Sequence, residues 1–163
     1  MTRLICAFLF AIVLAAPAAA KTYKIPDTDS LATIEAPDTG WDVQKIERGI
    51  ELNSDDDEVY LAIEGITKDN TAEVMTGALA YLDRSGVKID KASENKSEGK
   101  LNGLDTLDFG WTGKDKDGDV VVHLTIVKIV PGKAILFTYW ASPEGDKKYD
   151  PVTGKVLQSL KPL

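Results

Sequence analysis

The chain has 163 residues, 44% of them hydrophobic, and its 26 acidic against 19 basic side chains give a net charge of −7. One domain of that size buries roughly two-thirds of the surface its unfolded chain exposes, so it needs no covalent staple. Its lysines do not run together, the nearest approach being Lys147-Lys148 flanked by Asp146 and Asp150. Neutralising phosphates takes clustered Lys and Arg, so nucleic acid is set aside as a partner; the acidic balance favours solubility and basic partners or cations.

Residues 1–20 are expected to be a cleaved export signal. Arg3 supplies a positive start, Leu4 to Ala15 is an unbroken apolar run, and Ala18-Ala19-Ala20 places small residues before a cut at Lys21. The run is shorter than the about 20 residues a membrane span requires, and no later stretch rivals it. The expectation is therefore a periplasmic or secreted chain, residues 21–163, forming a single domain without a transmembrane segment. Cys6, the only cysteine, would leave with the signal, and with it any disulfide or thiol chemistry. Leu4-Ile5 before Cys6 imitate a lipoprotein box, but a signal ending there has no apolar region ahead of it, which argues against a lipid anchor.

Lys21 to Ile25 alternates weakly and is expected at a sheet edge, and Pro26-Asp27 breaks it. Leu31 to Ala36 alternates as a half-buried strand, Pro37 to Gly40 turn the chain into Trp41-Asp42-Val43, and two short strands around Val43 to Leu52 part at Arg48-Gly49. After a turn of like charges, Ser54 to Asp57, the segment Glu58 to Thr67 reads as a strand. Val59, Leu61 and Ile63 are expected inward, with Glu58, Tyr60 and Glu64 outward. Asp69-Asn70-Thr71 opens a helix that runs to about Arg84, with Val74, Met75, Ala78, Leu79 and Leu82 on one stripe and Ser85-Gly86 ending it.

Ile89 to Lys100 carries almost no core residue and fits an exposed edge strand whose charges discourage association. Asn102-Gly103 is a strong hairpin signal, and the return strand, Asp105 to Thr112, brings Leu107, Phe109 and Trp111 to one face. Lys114 to Asp119 turn the chain into the most informative stretch, two strands joined at Pro131-Gly132-Lys133. In the first, Val121, His123, Thr125, Val127 and Ile129 oppose Val120, Val122, Leu124, Ile126 and Val130. In the second, Leu136 and Trp140 oppose Ile135, Phe137 and Tyr139. Both faces are mostly apolar, so both must be covered. Pro143 to Lys161 is expected as a closing helix burying Tyr149, Val152, Val156, Leu157 and Leu160, weakened by Gly154 by about 1 kcal/mol relative to alanine. The order of three or four strands, helix, four meandering strands and helix predicts an α+β fold: a single antiparallel β-sheet flanked by helices on both faces, a three-layer α/β/α sandwich.

No residue set announces a reaction. Asp115, Asp117 and Asp119 are the candidate metal ligands, since carboxylates at this spacing converge on a hard cation when a loop curls. An EF-hand loop, however, needs glycine at its sixth position and glutamate at its twelfth, where this chain has Val120 and Ile126. The simpler reading is a hairpin turn with Gly118 at positive φ. Asp55 to Glu58 reads in the same way as a solvated turn. His123 is the only histidine and lies mid-strand among valines without a second histidine or cysteine to share a metal, so it reads as a satisfied sheet-face residue. Ser85, Ser142 and Ser159 lie at element ends without the setting of a nucleophile. Trp41, Trp111, Trp140, Tyr139 and Phe109 either line a cleft between sheet and helix or form the core, and the core is the commoner fate. The glycines form no phosphate-binding pattern.

A strand ending in Ala36-Pro37-Asp38-Thr39-Gly40-Trp41, a mid-chain amphipathic helix, a long meander and a final helix closing on Leu157-Gln158-Ser159-Leu160-Lys161 together resemble the PsbP-like superfamily. That group includes an extrinsic photosystem II protein, a nuclear Ran-binding factor and small exported bacterial proteins. The resemblance covers nearly all of residues 21–163 and implies the α/β/α sandwich and a non-catalytic binding or assembly role, for a protein or a small ligand, with no cofactor. It supplies no site residues, and this chain lacks the N-terminal extension of the plant protein. Two alternatives stay open: an enzyme using paired carboxylates, and a calcium-stabilised module through Asp115, Asp117 and Asp119.

Overall fold

The computed structural model describes residues 20–163; the expected signal, apart from Ala20, and Cys6 lie outside them. The described elements are β1 (Ala20–Ile25), β2 (Ala32–Pro37), β3 (Trp41–Ile46), β4 (Gly49–Ser54), β5 (Val59–Thr67), α1 (Thr71–Arg84), β6 (Lys88–Ile89), β7 (Asn95–Leu101), β8 (Leu104–Lys114), β9 (Asp119–Val130), β10 (Lys133–Ala141), α2 (Pro143–Gln158) and β11 (Lys161–Pro162). No helix among them is long and apolar enough to cross a membrane.

The strands make two sheets. An eight-stranded antiparallel sheet has the order β3-β4-β5-β10-β9-β8-β6, with β7 also paired to β8. A separate three-stranded antiparallel sheet has the order β1-β2-β11. In the large sheet Leu136 stands opposite Ile126, and Phe137 opposite Thr125. The even-numbered residues of β9 and β10 therefore share one face and the odd-numbered ones the other.

α1 covers the even face. Val74 and Ala78 meet Ile66, Leu124 and Leu136, while Leu82 joins Val87, Val120 and Val122. On the odd face the three-stranded sheet lays Ile25, Ala32, Ile34 and Ala36 against Leu61, Ile63, Val127, Ile135 and Phe137, with Val156 of α2 and Leu160 completing that cluster. The apolar side chains of both layers are close to fully buried there, which is the main source of the stability of this half of the molecule.

The single sheet flanked by helices expected from the sequence is therefore corrected. The layer over the odd face is itself largely a sheet, with α2 beside it. Period-two alternation reports which side of a strand is buried but not which sheet it joins. Ile34 and Ala36 look the same whether they extend an edge or lie on top of another sheet. The closing helix also stops sooner than expected: α2 ends at Gln158, and the last residues turn back so that Lys161 and Pro162 pair with Thr33 and Ala32. The Glu35 amide donates to Ser159 Oγ at 2.8 Å, tying the helix end to β2. Tyr60, expected outward, is buried at 4% exposure, because α1 returns over the even face of β5 and covers it.

Candidate functional site

The candidate metal ligands lie in a conventional turn. Asp115 Oδ1 accepts the amides of Asp117 (2.8 Å) and Gly118 (3.1 Å). Asp117 pairs with Lys116 at 3.1 Å and Asp119 with Lys114 at 2.8 Å, and Gly118 has a φ of 148°. Among the described residues no group of three or more His, Cys, Asp or Glu side chains is placed to hold a metal. Asp56 of the other acidic turn accepts from Ser54 Oγ at 2.8 Å and pairs with Lys148 at 2.6 Å.

His123 finds a partner on the neighbouring strand. Its Nδ1 lies 3.1 Å from Asp108 Oδ2, and Thr125 Oγ1 donates to the other oxygen of the same carboxylate. Gly110 faces His123 across the register; a Cβ there would lie 3.1 Å from the imidazole, so the glycine leaves room for the ring. The aromatic residues do not line one shared cleft. Trp41 meets Tyr149 edge-on at 5.1 Å, Phe109 stacks with Trp111 at 6.1 Å, and Trp140 stacks on Tyr60 at 4.4 Å. Tyr139 is on the opposite face, where its hydroxyl donates to Asp146 at 2.9 Å.

The site that the fold builds most fully was not visible in the sequence. Between α1 and strands β4, β5 and β10 lies a cleft of about 340 Å³, at the small end of ligand-pocket sizes. Tyr60 and Tyr81 form its aromatic wall, stacked at 5.0 Å, and the Tyr60 hydroxyl donates to Glu51 at 3.2 Å. Arg48 and Glu73 close its rim with a 3.0 Å ion pair. Burial holds the Glu64 carboxyl above its ordinary range; Arg48 pulls it partly back, and Glu47 and Glu51 push it further up. Burial likewise raises the Tyr60 phenol, with Tyr81 and Glu51 adding to the effect, so that it stays a proton donor.

Thr138 forms part of the floor. It is 2% exposed, and its Oγ1 is the one buried side-chain polar atom without a hydrogen-bond partner among the described residues. Such a hydroxyl is costly to leave unpaired. Gly77 of α1 borders the same cleft, and a Cβ built on it would meet nothing within 4 Å. The one local signal of this site was a threonine inside the otherwise apolar strand Ala134 to Ala141. Arg48 comes from the β3–β4 turn, Tyr60 and Glu64 from β5 and Tyr81 from α1, and only the fold brings them together.

No family model matches the chain, and no curated protein matches it. The fold does recur among solved structures. The solution structure of cyanobacterial PsbP (CyanoP) from Synechocystis sp. PCC 6803 is similar with a TM-score of 0.58 and 11% identity, over 95% of this chain and 99% of that one. A structure of LpqN, involved in cell envelope biogenesis of Mycobacterium tuberculosis, is similar with a TM-score of 0.52 and 13% identity, over 88% of this chain and 91% of that one. A Bacteroides thetaiotaomicron VPI-5482 protein has a TM-score of 0.54 and 13% identity, and this chain spans 45% of its length. The chain therefore has a PsbP-like fold, and at these identities the likeness concerns the fold alone.

Proposed function

We propose that this PsbP-like chain is a non-catalytic, exported binding module that holds a small molecule in the cleft beneath α1. The observation that carries the reading is the buried, unpaired hydroxyl of Thr138 in the floor of a preformed cleft with a two-tyrosine wall. A ligand with a planar part against Tyr60 and Tyr81 and a polar group reaching Thr138 would satisfy both features. The Glu64 carboxyl would add a hydrogen bond at the side. Export rests on the pattern of residues 1–20, and the involvement of LpqN in cell envelope biogenesis is consistent with it.

The test is a thermal-shift screen of the purified protein against small polar aromatics: phenol, benzamide, 4-hydroxybenzoate and indole. At least one should raise the Tm of the wild type by the mass-action effect of binding to the folded state. The same compound should leave Thr138→Val and Gly77→Leu unmoved, because the first removes the polar anchor and the second fills the cleft from α1. Without ligand, Thr138→Val should be more stable than wild type by about 1 kcal/mol, since it removes an unpaired buried hydroxyl. No shift with any compound, or equal shifts in all three proteins, would overturn the reading. Turnover of a compound that disappears in Glu64→Gln would replace it with a carboxylate enzyme.

A further inference from the structure

The lysines that are scattered in sequence meet in space. A groove of about 570 Å³ lies where the end of β5, the β7–β8 turn and the β9–β10 turn come together, and Lys68, Lys100, Lys128 and Lys133 border it. Lys100 is engaged by Asp105 at 2.7 Å. Among the described residues Lys68, Lys128 and Lys133 have no carboxylate within salt-bridge distance. Between the lysines the groove is bordered by Ile126 and Val130, of which Val130 is 50% exposed, while Leu104 and Ile129 at its margin pack into the core on the odd face.

Three unpaired cations around an apolar strip are unexpected on a chain of net charge −7. The excess carboxylates gather at the other end of the same strands, where Asp56, Asp57, Glu58, Asp115, Asp117 and Asp119 border a separate cleft. β9 is 12 residues long, which at about 3.3 Å per residue separates the two ends by roughly 35–40 Å. The Debye length at physiological salt is about 8 Å, so the acidic end does not cancel the field of the lysines.

We propose that this groove binds a single anionic amphiphile, its phosphate or carboxylate head among Lys68, Lys128 and Lys133 and its alkyl chain against Ile126 and the exposed Val130. The Lys68 amide already donates to Gly132 O at 2.8 Å, so the ammonium groups hold the head. This site is separate from the cleft beneath α1 that Thr138 floors.

Octyl phosphate, kept below its micelle concentration, is the probe, and isothermal titration calorimetry of the purified protein is the measurement. Binding should saturate at one molecule per chain and weaken as sodium chloride is raised from 50 to 300 mM. Inorganic phosphate, lacking the chain, and octyl glucoside, lacking the charge, should each bind at least tenfold more weakly. The triple variant Lys68→Gln, Lys128→Gln, Lys133→Gln should lose at least tenfold in affinity with its circular dichroism and Tm unchanged, because all three side chains are exposed. The proposal is overturned if either control matches octyl phosphate, if the variant binds as wild type does, or if phosphatidylglycerol vesicles bind while monomeric octyl phosphate does not. The last outcome would describe adsorption to a charged surface and not a ligand groove.

Discussion

Asn102 illustrates how one residue serves two levels of structure. Its φ of 52° is the left-handed value that the first position of a tight Asn-Gly hairpin requires, followed by Gly103 at 84°. The same side chain donates to the carbonyls of Gln158 at 2.9 Å and Leu160 at 3.0 Å, joining the β7–β8 hairpin to the end of α2. Asn102→Gly keeps the backbone and loses both bonds, and should cost about 1–2 kcal/mol in urea unfolding. Asn102→Ala loses the bonds and adds left-handed strain, so it should cost about 1 kcal/mol more. If the glycine variant matches wild type, the two bonds contribute nothing to stability. His123 and Thr138 show the complementary case. Each is a polar residue on an apolar strand; the sequence reads His123 as a satisfied sheet-face residue and says nothing of Thr138, and the fold supplies their neighbours. His123 gains Asp108 from β8, whereas Thr138 gains no partner among the described residues.

The elements depend on positions where the layers approach closely. Gly65 of β5 lies opposite Ile135 on the odd face, and a Cβ built on it would come within 2.5 Å of Pro26 Cδ in the β1–β2 connection. The glycine lets the three-stranded sheet seat on the large one. Gly65→Ala should cost about 2–3 kcal/mol, the range of overpacking, and should speed amide exchange in β1 and β2 more than in β9. Uniform exchange throughout would mean that the two sheets do not separate as units. α2 is held from both ends: Ser142 Oγ accepts the Gly145 amide at 2.8 Å and donates to Glu58, and the far end is fixed by Asn102 and β2. Those contacts, with the burial of Val156, offset the low helix propensity of Gly154 and the interior Pro151.

Along β9 of the large sheet, a group of acidic turns borders one end and the lysine groove the other, with some charges of the opposite sign paired at each. The acidic end is tied to α2 through Asp56 and Lys148, 2.6 Å apart. The hydrogen bond from Lys148 is the main cause that holds the Asp56 carboxyl well below its ordinary value of 3.8, with burial acting against it and Ser54 assisting. A carboxyl whose pKa is lower in the folded chain stabilises the fold above its unfolded value, and that stabilisation is lost as the pH falls through the lowered one. Lys148→Met should therefore narrow the stability difference between pH 6 and pH 2.5 relative to wild type, and an unchanged acid limb would show that the pair does not couple to folding. The effect should be modest, because the pair is partly exposed and screened by salt.

The sequence by itself determined the strand faces of β9 and β10, the extent of α1, the Asn102-Gly103 hairpin and the likeness to the PsbP-like fold, although it counted too few strands around the helices. Each of these depends on residues close together along the chain: a period of two, a period near four, or a turn that needs positive φ. The tertiary structure decided the rest. It placed β1, β2 and β11 in a separate sheet, turned Tyr60 inward beneath α1, and distributed the aromatic residues among separate contacts. It also assembled the Thr138 cleft and the lysine groove from stretches far apart in the chain. The lysines at 68, 100, 128 and 133 read as dispersed because linear spacing carries no record of which strand ends are neighbours. Pairing β5 with β10, β10 with β9, and β9 with β8 is what brings them to one end of the sheet.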